Sequence, residues 1–82
     1  MQISVEMSLY PLDDAYLEII TKTVERLAKA SNVKVKTNNM STQLTGEFDD
    51  VMSLVKDEVL QTFQETEKAV FVCKILNKGI DL

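Results

Sequence analysis

Hydrophobic periodicity along this chain switches between two and about 3.6 residues, in the order strand, helix, strand, strand, helix, strand. Few topologies accept that order. In residues 2–10, Ile3, Val5, Met7 and Leu9 point one way, and Gln2, Ser4, Glu6, Ser8 and Tyr10 the other. That is a strand with one face on a core. Pro11 has no N–H to donate and ends it. Asp13 or Asp14 then offers an N-cap. Tyr16, Ile20, Val24 and Leu27 follow at helical spacing, with Ile19 and Thr23 beside them. Glu18–Lys22 and Glu25–Lys29 are acid-before-base pairs four apart, each contributing a few tenths of a kcal/mol. The helix is expected to end near Ser31-Asn32.

Val33, Val35 and Thr37 alternate with Lys34, Lys36 and Asn38 as a second strand. Asn38-Asn39 suits a tight hairpin turn with positive φ. Met40, Thr42 and Leu44 form one side of a third strand, and Ser41, Gln43 and Thr45 the other, with Gly46 at its end. Asp49 is the expected cap of a second helix, whose stripe is Val51, Met52, Val55, Val59 and Phe63. Residues 69–76 are apolar on both faces and make the last strand. Each strand–helix–strand half crosses over right-handedly. The halves interleave into one four-stranded antiparallel sheet with both helices on one side, the ferredoxin-like α+β arrangement βαββαβ, as a single domain over residues 1–82.

Composition excludes several function classes. Thirteen acids against nine bases give a net charge of −4, so no basic face is available for nucleic acid. No apolar run reaches the roughly 18–20 residues of a membrane span, and the first residues lack the basic and apolar regions of a secretory signal. There is no His, which removes the commonest general base and metal ligand. One cysteine, Cys73, forms neither an internal disulfide nor a thiolate zinc site, and a reducing cytoplasm is the expected location. Cys73, Met7, Met40 and Met52 are expected as core residues, the thiol inert. Asp13-Asp14 and Asp49-Asp50 are expected as caps and not as metal ligands. With only Gly46 and Gly79, the chain has no phosphate-binding glycine loop. An acylphosphatase-type enzyme needs a cationic cradle after the first strand, where this chain has Pro11-Leu12-Asp13-Asp14. The expectation is no catalytic residue, no metal and no cofactor.

The sheet face without helices takes Gln2, Ser4, Glu6, Ser8 and Tyr10, then Lys34, Lys36 and Asn38, then Ser41, Gln43 and Thr45. If the larger Phe71, Cys73 and Ile75 face the helices, Val70, Val72 and Lys74 complete it. Short hydroxyls and amides leave space and fixed donors and acceptors. Such a face is either simply solvated, or it binds a small polar ligand or meets another sheet. Glu6 either pairs with Lys34, Lys36 or Lys74 or holds a cationic ligand. Tyr10 either covers the sheet edge or contacts ligand. A small single core also leaves little net stability, so self-association to a dimer or tetramer is expected.

Two motifs carry a resemblance. Val5-Glu6-Met7-Ser8-Leu9-Tyr10-Pro11-Leu12 before a capped helix resembles the opening of the YkoF-like thiamine/hydroxymethylpyrimidine-binding proteins and the related single-domain thiamine-binding family. Met40-Ser41-Thr42-Gln43-Leu44-Thr45-Gly46-Glu47 resembles their strand after the hairpin. Many relatives have Gly at the place of Asp13 and Gly-Pro at that of Asn38-Asn39. The resemblance covers nearly the whole chain. It implies non-enzymatic binding of thiamine or its hydroxymethylpyrimidine moiety, for vitamin transport, salvage or sensing. It also implies a partner chain, with sheets associating through their helix-free sides and ligand in the pockets so formed. On this reading Ser8, Asn39, Ser41 and Thr42 serve the aminopyrimidine, and Glu6 and Tyr10 the cationic thiazolium. Thr42 enters through the motif alone, since alternation turns it toward the helices. The alternative is a regulatory or oligomerisation module of the same fold that binds another small metabolite, such as an amino acid.

Overall fold

The computed structural model describes residues 1–82. Strand β1 spans Gln2–Pro11 and buries Ile3, Val5 and Met7 on one face, as a period of two requires. Pro11 still lies opposite Ala69, because a strand's last residue does not have to donate to the ladder. Helix α1, Tyr16–Ala28, buries Ile19, Thr23 and Leu27. That ridge lies one residue from the expected stripe: Tyr16 is exposed, and Ile20 and Val24 are half-buried. Asp13 does not cap α1. Its carboxylate accepts the N–H of Ala15 at 2.8 Å and so fixes the turn before the helix, and Ala15 itself occupies the cap position. The helix stops before Ser31. The N–H groups of Lys29 and Ala30 bond back three residues, to the carbonyls of Arg26 and Leu27 at 3.2 and 3.1 Å, which tightens the last turn. Of the two ion pairs expected on its surface, Glu18–Lys22 forms, at 3.2 Å.

Strands β2, Lys34–Thr37, and β3, Thr42–Glu47, form the hairpin, with Thr37 opposite Thr42. Its turn differs from the expectation, since no residue in the chain has positive φ. The Asn38 side-chain oxygen instead accepts the N–H groups of Met40 and Ser41 at 2.8 and 3.0 Å, and the Asn38 N–H bonds to the Ser41 carbonyl at 3.0 Å. A side chain thus closes a longer loop that a tight turn would close with backbone alone. Met40 rides at its tip, 84% exposed, and is not a core residue.

Helix α2, Phe48–Glu65, begins after Glu47, and Asp49 and Asp50 lie in its first turn. Neither is the cap. They act on the positive helix end instead. Strand β4 is Ala69–Leu76. The sheet order is β2-β3-β1-β4, every neighbour antiparallel, and the fold is the ferredoxin-like one. The core is Ile3, Val5, Met7, Leu27, Val33, Leu44 and Val51, with Met52, Val55 and Phe71 packed against it. Neither helix is long and apolar enough to cross a membrane.

Two regions depart from the simple layered picture. Cys73 lies opposite Met7 on the helix side of β4, yet it is exposed, as is its neighbour on that face, Ile75 at 58%. β4 is an edge strand, and the helix layer reaches it mainly where Phe63 packs on Phe71, ring centroids 5.8 Å apart. Cys73 is therefore not a core residue. Partial desolvation pushes its thiol above the ordinary value, which keeps it protonated. At the other end of the sheet, residues 77–82 fold back over the helix-free face. The Ser4 hydroxyl lies 2.8 Å from the Lys78 carbonyl and 3.0 Å from the Thr45 hydroxyl, and both hydroxyl residues are buried. Gly79 packs closely there, and a Cβ on it would just touch Gln2 and Thr45, at 3.4 Å from each.

Candidate functional site

The second half of β1, the face of α1 that carries Ile20 and Val24, and the hairpin do not close against one another. They leave a cavity of about 380 Å³. Met7, Ser8, Leu9 and Tyr10 form its floor, and Ile20, Thr23, Val24 and Leu27 the helix wall. Residues 37–42 form the hairpin wall, and Phe71 stands at the β4 side. Its volume lies near the lower end of the roughly 300–1,000 Å³ usual for small-molecule sites. No lining residue carries a formal charge, and the polar groups are hydroxyls and amides.

Five of the six residues expected to form a site, Ser8, Tyr10, Asn39, Ser41 and Thr42, border this cavity. Glu6 does not. It lies on the helix-free face opposite Gln43 and Lys74. One carboxylate oxygen accepts the Ser41 hydroxyl at 2.9 Å, and the other is 3.6 Å from the Lys74 ammonium. Ser41 in turn accepts the Gln43 amide at 2.6 Å. Glu6 thus holds the base of the hairpin from behind. Thr42 faces the helices, as alternation requires, and its hydroxyl is 3.0 Å from that of Thr37. Ser8 donates to the Met40 carbonyl at 3.4 Å, which ties the floor to the hairpin tip.

Sequence reasoning missed the helix wall and Phe71, because it looked for a site on the face without helices. The available signal was Thr23, a hydroxyl on the buried ridge of α1. Behind that wall lies a polar network between the helices. Glu58 is 5% exposed, and its Oε1 accepts from Arg26 Nε at 2.8 Å. Arg26 also reaches Glu65 at 2.7 Å. The hydrogen bond to Glu58 is the main cause that holds the guanidinium pKa above its ordinary value. Thr62, fully buried, and Thr23 complete the network. No group of three or more acids or thiols converges to hold a metal ion.

Fold and cavity together define a ferredoxin-like α+β sandwich with an uncharged cleft between its first helix and its hairpin. The chain belongs to the YKOF-related family, whose sequence profile matches residues 2–78. Among solved structures it is similar to a Thermotoga maritima protein provisionally assigned to thiamine biosynthesis/salvage. The TM-score is 0.87 at 22% identity, covering 100% of this chain and 91% of that one. A Streptococcus pneumoniae protein superposes with TM-score 0.84 at 24% identity, over 98% of this chain and 90% of its own. A domain of unknown function from Bacillus cereus gives 0.78 at 22%, covering 100% and 84% respectively. At these identities the structures speak for the fold. No curated protein matches the chain.

Proposed function

We propose that the chain binds thiamine or its hydroxymethylpyrimidine moiety, without turnover, in the cavity between α1 and the hairpin. The observation that carries this reading is the cavity's chemistry: it is uncharged, lined by residues that carry hydroxyls and amides, and bordered by the aromatic residues Tyr10 and Phe71. A flat neutral heterocycle gains apolar contact and several hydrogen bonds there, and a thiazolium meets ring faces at the mouth. Membership of the YKOF-related family and the likeness to a protein provisionally assigned to thiamine salvage support it. Thr42 and Asn39 serve as hydrogen-bonding residues and Tyr10 as the aromatic contact at the mouth, while Ser8 and Ser41, whose hydroxyls bond the Met40 carbonyl and Glu6 on the helix-free side, position the hairpin wall together with Glu6. A cytoplasmic role in transport, salvage or sensing follows from this reading.

Titration calorimetry with hydroxymethylpyrimidine and with thiamine tests it. Micromolar or tighter binding of either is the expected result. Thr42→Val is expected to weaken binding by about 1–3 kcal/mol, the cost of leaving a buried ligand group unpaired. Glu6→Gln preserves an acceptor for Ser41 and is expected to change affinity by less than about 1 kcal/mol. If the parent binds neither compound but does bind another small metabolite, the regulatory-module reading replaces this one. A product that accumulates in proportion to protein and time would disprove binding without turnover.

The helix-free face and the β4 edge also support self-association. Val70, Val72 and Leu76 are exposed along β4, a density of apolar surface uncommon on an isolated edge strand. A dimer or tetramer is expected in sedimentation at micromolar concentration. A single 9.3 kDa species would sink the proposal.

A further inference from the structure

Strand β1 lies between β3 and β4, and the backbone groups of its residues turn alternately to one neighbour and the other. The Leu12 N–H donates to the Lys68 carbonyl at 2.8 Å, so even-numbered residues bond toward β4. The Met1 carbonyl accepts the Phe48 N–H at 2.9 Å, so odd-numbered residues bond toward β3. On that side the ladder stops at Met7, opposite Thr42, where β3 begins. Continued in register, Leu9 would face Met40. Met40 instead belongs to the hairpin loop: its N–H donates to Asn38 Oδ1 at 2.8 Å, and its carbonyl accepts the Ser8 hydroxyl at 3.4 Å. None of the backbone bonds outside the ladders involves Leu9. In the second half of β1, Leu9 is therefore the one residue with both N–H and C=O unpaired, since Pro11 has no N–H. It is half-buried, it borders the cavity, and both groups turn in the plane of the sheet toward the hairpin wall. Backbone groups withdrawn from water are almost always paired, so a free pair beside a cavity calls for a partner.

We propose that the main chain of Leu9 anchors the bound heterocycle: its N–H donates to a ring nitrogen and its C=O accepts from the amino group next to that nitrogen. The inference rests on the reading of the cavity as a pyrimidine site and names the groups that hold the ring's polar edge. The pattern is set by covalent chemistry, since an amide N–H only donates and a carbonyl only accepts. In an antiparallel bonded pair, the residue opposite presents one acceptor and one donor side by side. An aminopyrimidine edge presents the same two groups, and so takes the place that one more residue pair of β3 would occupy. An extended peptide is a poorer match. Pro11 follows on the same edge and has no donor, so the free edge offers a strand a single N–H. A pyrimidine without the amino group leaves the Leu9 carbonyl unpaired.

Amide hydrogen exchange of the full chain, followed by NMR, reads Leu9 directly. In the free chain its N–H is expected to exchange at least roughly 10-fold faster than those of Ser8 and Tyr10, which the ladder to β4 holds on either side. Saturating hydroxymethylpyrimidine is expected to slow Leu9 to the level of these two neighbours. A second measurement uses a chain carrying the α-hydroxy analogue of leucine at position 9. The backbone ester removes that N–H and leaves every side chain in place. By calorimetry it is expected to bind hydroxymethylpyrimidine roughly 10- to 100-fold more weakly than the parent, the range for one lost buried hydrogen bond. The parent is expected to lose a similar factor for the pyrimidine that lacks the amino group. If the ester chain does not fold, the exchange measurement decides alone. A Leu9 N–H that exchanges as slowly as its neighbours in the free chain is already held by a protein group and overturns the inference. So does a Leu9 rate unmoved by bound hydroxymethylpyrimidine, or parental affinity in the folded ester chain, and each of these leaves the pyrimidine site standing. A parent that binds neither pyrimidine overturns both.

Discussion

Replacing Arg26 with Met is expected to cost about 3–5 kcal/mol, the penalty for stranding a buried charge, and to leave much of the chain unfolded at room temperature. Arg26 is the only arginine in the chain. Its guanidinium lies 2.6 Å from Glu58, whose side chain is 6% exposed, and 2.7 Å from Glu65. Without it the Glu58 carboxylate keeps only the Thr62 hydroxyl, at 3.3 Å. Small single-core domains sit near the lower end of the usual range of about 5–15 kcal/mol, so a loss of this size is most of the total. The double variant Arg26→Met/Glu58→Leu removes charge from both sides and fills the space with apolar atoms. It is expected to recover most of the loss, since well-packed apolar replacements of buried pairs are often neutral or better. Urea unfolding followed by circular dichroism reads both. A single variant within about 1 kcal/mol of the parent would mean that Glu58 finds water and is not committed to Arg26.

Leu44→Ala is the second large effect, expected to cost about 2–5 kcal/mol. Leu44 is fully buried and lies opposite both Val5 and Val35, so it joins β1 and β2 under the helices. The strands on either side are fixed by backbone hydrogen bonds, so collapse into the void is limited and the cavity term adds to the transfer term. The urea midpoint should fall with the slope unchanged. Met40→Ala is the matched control. At the exposed hairpin tip it should change stability by no more than about 0.5 kcal/mol. Equal effects for the two would contradict the placement of the core.

The architecture could be read from periodicity because its elements are regular. β1 alternates through Ile3, Val5 and Met7, and β4 occupies residues 69–76, both as its sequence reads. Failures cluster where side chains replace backbone regularity. The hairpin closes through the Asn38 side chain, and Asp13 bonds one residue ahead of α1; both are short-range choices among several a sequence permits. Glu58 and Thr62 are buried although their residue types belong on a wet face, and only Arg26 on the other helix makes that tolerable. Ser8, Tyr10, Asn39, Ser41 and Thr42 border the cavity, but it opens on the helix side of the sheet and not on the helix-free side, where the site was expected. Strand alternation tells which way Thr42 points; it does not tell where α1 stands off from the sheet. Likewise nothing periodic in residues 77–82 announces that they bury Ser4 and Thr45.

The absence of formal charge around the cavity has a consequence for how ligand arrives and stays. With no fixed ion to neutralise at the site, binding of an uncharged heterocycle releases no counterion and gains nothing from electrostatic steering. Its affinity and association rate are then nearly independent of ionic strength. A cationic ligand approaches a chain of net charge −4 and is drawn only by that diffuse field, which salt screens within about 8–10 Å. A phosphorylated ligand meets the same field as a repulsion, with no cation on the cavity wall to offset it. On the proposed function, salt concentration alone would therefore separate hydroxymethylpyrimidine, thiamine and thiamine phosphates: flat for the first, weaker with salt for the second, stronger with salt for the third.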